Sequence, residues 1–285
     1  MQQSTILMEM NTARLHKIGL LKGCAEKVLQ STVQFFFDNP KPKYYTAGSG
    51  VLFEINSKYF IFTAAHVFTK RYEKIYVISN QEAISLGGML YTTPLLNSGD
   101  RRDDKIDLAI LEISNKIADK LKADYYFIKL NDLELGHYID VDTNYLIAGY
   151  PITKTKKVWG IPATLKSQPF VANLDALIRF DYGKFKFSFA SHIAMDYNGE
   201  MISLKNQNSH LAPNLEGISG SGLWYLNNFP EEELFKSKLI GIIIEQIKEN
   251  GNKSIIATRI DIVILLVNKL LNLSIPIPKK VNKYQ

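Results

Sequence analysis

Thr63-Ala64-Ala65-His66, Asp107-Leu108-Ala109-Ile110-Leu111 and Gly217-Ile218-Ser219-Gly220-Ser221-Gly222-Leu223 occur in that order along a chain of 285 residues. They supply a base, a carboxylate at the mouth of an apolar strand, and a serine set among glycines. Each has an ordinary explanation when taken singly: a structural histidine, a solvated acid like Asp103 or Asp104, and a flexible Gly-Ser loop. Taken together they match the needs of acyl transfer. A serine hydroxyl is a poor nucleophile near neutral pH until an imidazole accepts its proton and a carboxylate fixes that imidazole's tautomer. Glycines around the serine also let the backbone turn sharply and aim N–H groups into a concavity that holds an oxyanion. The spacing does not fit the G-x-S-x-G elbow, because Ser221 stands two residues after Ser219, and the order His, acid, Ser is wrong for that fold.

Outward from these segments the chain reads as short β-rich runs. Val33 to Phe37, Gly50 to Ile55, Tyr59 to Thr63, Lys74 to Ile78, Met89 to Thr92 and Asp107 to Ile113 are separated by Gly, Asn, Pro and Asp, which predicts one small antiparallel barrel. Ser114 to Ala123 reads as a connector. Tyr126 to Leu130, Asn144 to Gly149, Ala163 to Phe170, Leu177 to Phe180, Lys184 to Phe189, Gly222 to Leu226, Leu239 to Glu245 and Ile255 to Thr258 predict a second series in the same style. Amphipathic spacing predicts helix over Thr12 to Thr32, where Gly19 and Gly23 also allow two short helices instead, and over Arg259 to Leu273. The fold class expected is therefore all-β: two packed six-stranded antiparallel β-barrels, with an N-terminal helical extension and a C-terminal helix. The domain reading is a helical extension at 1–32, a first barrel with connector at 33–123, a second barrel at 124–258, and a helix and tail at 259–285.

Composition excludes several classes. Hydrophobic residues make up 46% and charged residues 22%, so apolar surface is ample and no disorder signature is present. One cysteine, Cys24, rules out an intrachain disulfide, and no apolar, signal-like stretch opens the chain, so a cytoplasmic location is expected. The strongest apolar run, Ile262 to Val267, is far short of the roughly 20 residues a membrane span needs, so no membrane partner is expected. The net charge of +6 comes from scattered lysines and arginines without a nucleic-acid-binding motif, which reads as a solvated basic surface. His16, His137, His192 and His210 lack the setting of His66, and no His or Cys pair has zinc-ligand spacing, so no cofactor or metal is expected.

The three ordered segments resemble those of trypsin-like (chymotrypsin-fold) serine peptidases: T-A-A-H, D-[IL]-A-[IL]-L and G-D-S-G-G-P-L. The resemblance spans about Val33 to Leu271. Ala47-Gly48-Ser49-Gly50-Val51-Leu52 resembles the strand before the histidine, Ala148-Gly149-Tyr150-Pro151 the G-Y-P turn of bacterial members, and Leu239-Ile240-Gly241-Ile242 the strand after the nucleophile. Ile218 replaces the acid beside the nucleophile, and no basic activation site precedes an Ile-Val-Gly-Gly start. That pattern resembles intracellular bacterial members and implies control by loop ordering or a partner instead of zymogen cleavage.

The resemblance implies Ser219 as nucleophile, His66 as general base and acid, Asp107 as orienter, and the N–H groups of Gly217 and Ser219 as the oxyanion hole. It also implies a specificity pocket lined by Pro213, Ile244, Gln246 and Ile255, shallow and apolar, suited to small or aliphatic side chains. The expected activity is endopeptidase cleavage of a protein or peptide substrate, restricted in range, with a regulatory protein as a possible partner. The alternative is a catalytically silent module on the same fold that holds a peptide or partner protein.

Overall fold

The computed structural model describes residues 23–37, 45–68, 75–96, 98–140, 143–151, 170–177, 179–197, 200–202, 209–211, 215–227 and 236–278. Helix α1 (residues 23–30) leads into strands β1 (Thr32–Phe37), β2 (Tyr45–Ile55), β3 (Lys58–Ala64), β4 (Ile75–Ser79), β5 (Glu82–Ser85), β6 (Met89–Thr92) and β7 (Leu108–Ile113). These seven strands form one antiparallel sheet in the order β5-β4-β1-β2-β3-β7-β6, a half-barrel. After helix α2 (Asn115–Leu121) come β8 (Asn144–Gly149), β9 (Phe170–Ala176), β10 (His192–Asp196), the paired β11 (Glu200–Ile202) and β12 (Ser209–Leu211), then β13 (Gly222–Asn227), β14 (Lys236–Glu249) and β15 (Asn252–Arg259). Six of them close a barrel in the order β10-β15-β14-β13-β8-β9. Helix α3 (Ile260–Leu271) ends the described fold. The two expected barrels are thus present, one closed and one half-open.

Local chemistry sets the register of the hairpins. Asn56-Ser57, Asn80-Gln81 and Asn250-Gly251 all have positive φ and join β2 to β3, β4 to β5 and β14 to β15. Paired positive φ values are the mark of tight two-residue hairpin turns whose twist matches that of the flanking strands. Strand β3 has both faces covered, which is why Tyr59 to Phe62 is continuously apolar instead of alternating. Ile61 packs inside the half-barrel with Phe35 and Leu52. Phe60 and Phe62 face the other way, into a core shared with Trp224, Leu239 and Ile242 of the closed barrel. Each such side chain contributes about 1.5–3 kcal/mol on burial, so the seam between the barrels is a true core. Ile260, Val263, Ile264 and Val267, one stripe of α3, pack into that same seam with Cys24 and Val28 of α1. Among the described residues no helix is long and apolar enough to cross a membrane.

Several expectations need correction. Ser114 to Ala123 is a helix in its middle, because the Ser114 side chain accepts from the Ile117 N–H and caps it. Tyr126 to Leu130 is no strand: only Ile128 forms a bridge, to Phe53, before a 3-10 turn at Leu130–Asp132. Lys184 to Phe189 is a succession of turns. Its apolar alternation serves ring packing, with Phe180 stacked on Phe185 and edge-on to Tyr182, and Tyr182 edge-on to Phe189. Leu177, Arg179 and Phe180 of the strand expected at Leu177 to Phe180 are in no strand, while the polar strand β5, most of β9, and β10, β11 and β12 were not expected. The helix expected over Thr12 to Thr32 lies outside the described residues up to 22, as do 163–169 of the strand expected at Ala163 to Phe170.

Candidate active site

His66 follows β3 directly, on a 3-10 turn at Ala65–Phe68 whose Ala65, Val67 and Phe68 are buried while the imidazole is 40% exposed. The small Ala65 lets its N–H reach the Asp107 carbonyl at 2.8 Å, which ties the turn to the start of β7. Asp107 has φ of +45°, a left-handed conformation that Asp tolerates better than most residues. This turns its buried carboxylate back onto His66: Oδ1 accepts from the His66 backbone N–H at 2.9 Å and Oδ2 lies 2.5 Å from Nδ1. A carboxylate only accepts, so Nδ1 carries the imidazole proton and the Nε2 lone pair is left to accept another. Burial pushes the Asp107 carboxyl above the usual carboxylate range, against the opposite pull of its bonds to His66.

The carboxylate is held from behind by residues the sequence did not mark. Asp104 is buried, and its Oδ1 accepts from the N–H groups of Ile106 and Asp107, both at 3.1 Å. Its Oδ2 takes Arg101 at 2.8 Å and the Thr93 hydroxyl. The closed barrel grips the same loop: His192 Nε2 lies 2.7 Å from the Lys105 carbonyl, and Thr258 Oγ1 donates to the Ile106 carbonyl at 2.7 Å. Asp104 sits in an unbroken run of six charged residues, Asp100 to Lys105, so nothing in the sequence separates it from Asp103.

Ser219 lies in the turn that precedes β13, and this turn is fastened to the half-barrel at two points. The Ser219 carbonyl accepts from the Ser49 N–H at 2.9 Å, and the Gly217 carbonyl accepts from Ser49 Oγ at 3.1 Å. Gly220 has φ of +87°, and a Cβ there would overlap Thr63 Oγ1 and the Ser49 carbonyl. Only glycine allows this approach. Thr63 stands three residues before His66, so the serine turn is packed onto the strand that leads to the imidazole. Val67, the residue after His66, and the Ser219 carbonyl both border Gly48. The N–H groups within the turn are sorted: Ile218 donates to Leu215 at 2.9 Å, Gly220 to Ile243 at 2.7 Å and Ser221 to Ile218 at 2.9 Å. Those of Gly217 and Ser219 have no hydrogen-bond partner among the described residues. Two open donors flank the serine.

Of the residues expected to line a specificity pocket, Gln246 and Ile255 pair across β14 and β15, and Ile244 lies two residues before Gln246. Ile255 is fully buried in the closed barrel's core, so its side chain fills the barrel interior, which corrects the expectation that it lines a surface pocket. Ile244 is almost wholly buried in a core that includes Phe187, Ile247 and Ile256. Gln246 is half-buried, with Nε2 enclosed and unpartnered among the described residues. Pro213 lies outside the described residues.

No family model matches the chain, and no curated protein does. Among solved structures, the scabies mite inactivated protease paralogue S-I1 superposes with a TM-score of 0.52 and 16% identity, covering 88% of this chain and 98% of that one. A structure from a study of the disordered Sesbania mosaic virus VPg protein reaches a TM-score of 0.45 and 13% identity over 82% of this chain and 87% of its own, too low to weigh. The first likeness, together with the closed barrel and the half-barrel, assigns this chain a chymotrypsin-like fold.

Proposed function

We propose that the protein is a serine endopeptidase that cleaves peptide bonds through an acyl-enzyme. Ser219 is the nucleophile, His66 the general base and then acid, and Asp107 the group that orients the imidazole. The Gly217 and Ser219 N–H groups receive the oxyanion. The observation that carries this reading is the two-point bond from Asp107 to His66, backbone and ring, beside a serine turn packed on the strand that leads to His66. In the reaction, Nε2 takes the Ser219 proton as Oγ attacks the scissile carbonyl. The collapse of the tetrahedral intermediate returns that proton to the leaving amine, and water repeats the sequence on the ester. With a single cysteine, a cytoplasmic setting, a restricted protein or peptide substrate and control by a partner protein complete the proposal.

The second reading, a silent module that holds a peptide, draws support from the scabies mite protein, an inactivated protease paralogue. Against it, this chain keeps all three of His66, Asp107 and Ser219. A fluorophosphonate probe separates the two. Labelling of the full chain that disappears in Ser219→Ala, with the fold intact by circular dichroism, supports the peptidase; equal labelling of that variant refutes it, and no labelling of the wild type favours the silent module.

A further inference from the structure

We propose that the Ser49 hydroxyl is a latch that positions the oxyanion turn. This rests on the peptidase reading above. Ser49 is completely buried on β2, and its polar atoms join three parts of the site. Its N–H holds the Ser219 carbonyl at 2.9 Å. Its hydroxyl donates to the Gly217 carbonyl at 3.1 Å and accepts from the Tyr150 N–H, at the end of β8, at 3.2 Å. Its carbonyl accepts from Thr63 Oγ1 at 2.7 Å, on the strand that leads to His66. One residue of the half-barrel therefore touches the serine turn twice, the histidine strand once and the closed barrel's β8 edge once.

The hydroxyl matters for a geometric reason. Gly217 has φ of +95°, and its peptide with Ile218 is oriented by two bonds: Ile218 N–H to the Leu215 carbonyl and Ser49 Oγ to the Gly217 carbonyl. With the hydroxyl gone, the carbonyl end is loose and glycine allows the peptide to rotate. The Gly217 N–H belongs to the preceding peptide, so it is displaced when the unanchored Gly217 itself shifts about its own φ and ψ. The Ile218 side chain, fully buried in the closed barrel's core with Leu215, Leu223 and Ile243, holds the other side of the turn by packing alone. None of these partners is charged.

The test uses the full chain, with Ser49→Ala and Ser49→Cys beside the wild type and Ser219→Ala. Second-order rates of fluorophosphonate labelling and p-nitrophenyl acetate hydrolysis are measured per folded molecule, with melting temperatures alongside. Deleting one oxyanion donor costs roughly 100- to 1000-fold, and misplacing one costs less, so Ser49→Ala is expected to slow labelling by about 10- to 100-fold. The loss should fall on kcat with KM little changed, and Ser49→Cys, which keeps a weak donor, should lie between. If Ser49→Ala does not fold, the cysteine variant decides: slowed labelling supports the latch, and a wild-type rate overturns it. A lowered melting temperature with wild-type kcat per folded molecule also overturns it, since it reduces Ser49 to a packing residue. These outcomes leave the peptidase reading standing. A wild type that does not label, or labels equally without Ser219, removes that reading and the latch with it.

Discussion

Replacing Asp107 by Asn separates chemistry from stability at one atom. The Asn carbonyl can keep the 2.9 Å bond from the His66 N–H, which leaves its NH₂ facing Nδ1 where Oδ2 now lies at 2.5 Å. A donor there forces the imidazole to present a lone pair at Nδ1 and moves its proton to Nε2, the wrong tautomer for accepting a proton from Ser219. Loss of the orienting carboxylate in such a triad costs about 10,000-fold in rate, or about 5.5 kcal/mol of barrier. Stability should move differently. Burial raises the Asp107 carboxyl's pKa, so the folded chain binds this proton more tightly than the unfolded one. Its contribution therefore declines as pH rises from about 3.9 through the raised value, and the neutral amide escapes that decline. At pH 7 Asp107→Asn should be at least as stable as the wild type to within about 1 kcal/mol, a typical net worth of one altered hydrogen bond. Fluorophosphonate labelling rates and urea midpoints at pH 5 and pH 7 measure both effects. A variant that labels within tenfold of the wild type would refute the orienting role, whatever its stability.

Gly220→Ala should destabilise the fold by about 3 kcal/mol, from about 1–2 for a side chain in left-handed backbone plus about 1–3 for overpacking against Thr63 and the Ser49 carbonyl; an unchanged urea midpoint would show that the seam yields there. His137 provides a pH-dependent prediction, because burial, aided by Arg259, lowers its pKa to about 4. The folded chain thus resists a proton that the unfolded chain binds at about 6.5, and stability falls with pH across that window at about 1.4 kcal/mol per pH unit. His137→Asn should lose about 2 kcal/mol less than the wild type between pH 7 and pH 5, and equal losses would contradict the assignment.

Much of this architecture was legible because period and turn chemistry are local. The apolar run of β3, the Asn-led hairpin turns and the stripe of α3 follow from neighbouring residues. Other elements were misread for equally physical reasons. The alternating aromatics of Lys184 to Phe189 looked like a strand, yet their partners are one another's rings. Ile255 looked available to a pocket, yet the closure of the barrel turns it inward.

The sequence by itself determined which groups are present to do chemistry, and in what order two β-rich halves carry them. Only the tertiary structure decided how they are held. Ser49 touches Gly217 across 168 positions, Thr258 reaches Ile106 across 152, and His192 reaches Lys105 across 87. No local pattern encodes such bonds, because they form only when the two barrels share a core and bring distant backbone carbonyls within reach of buried donors.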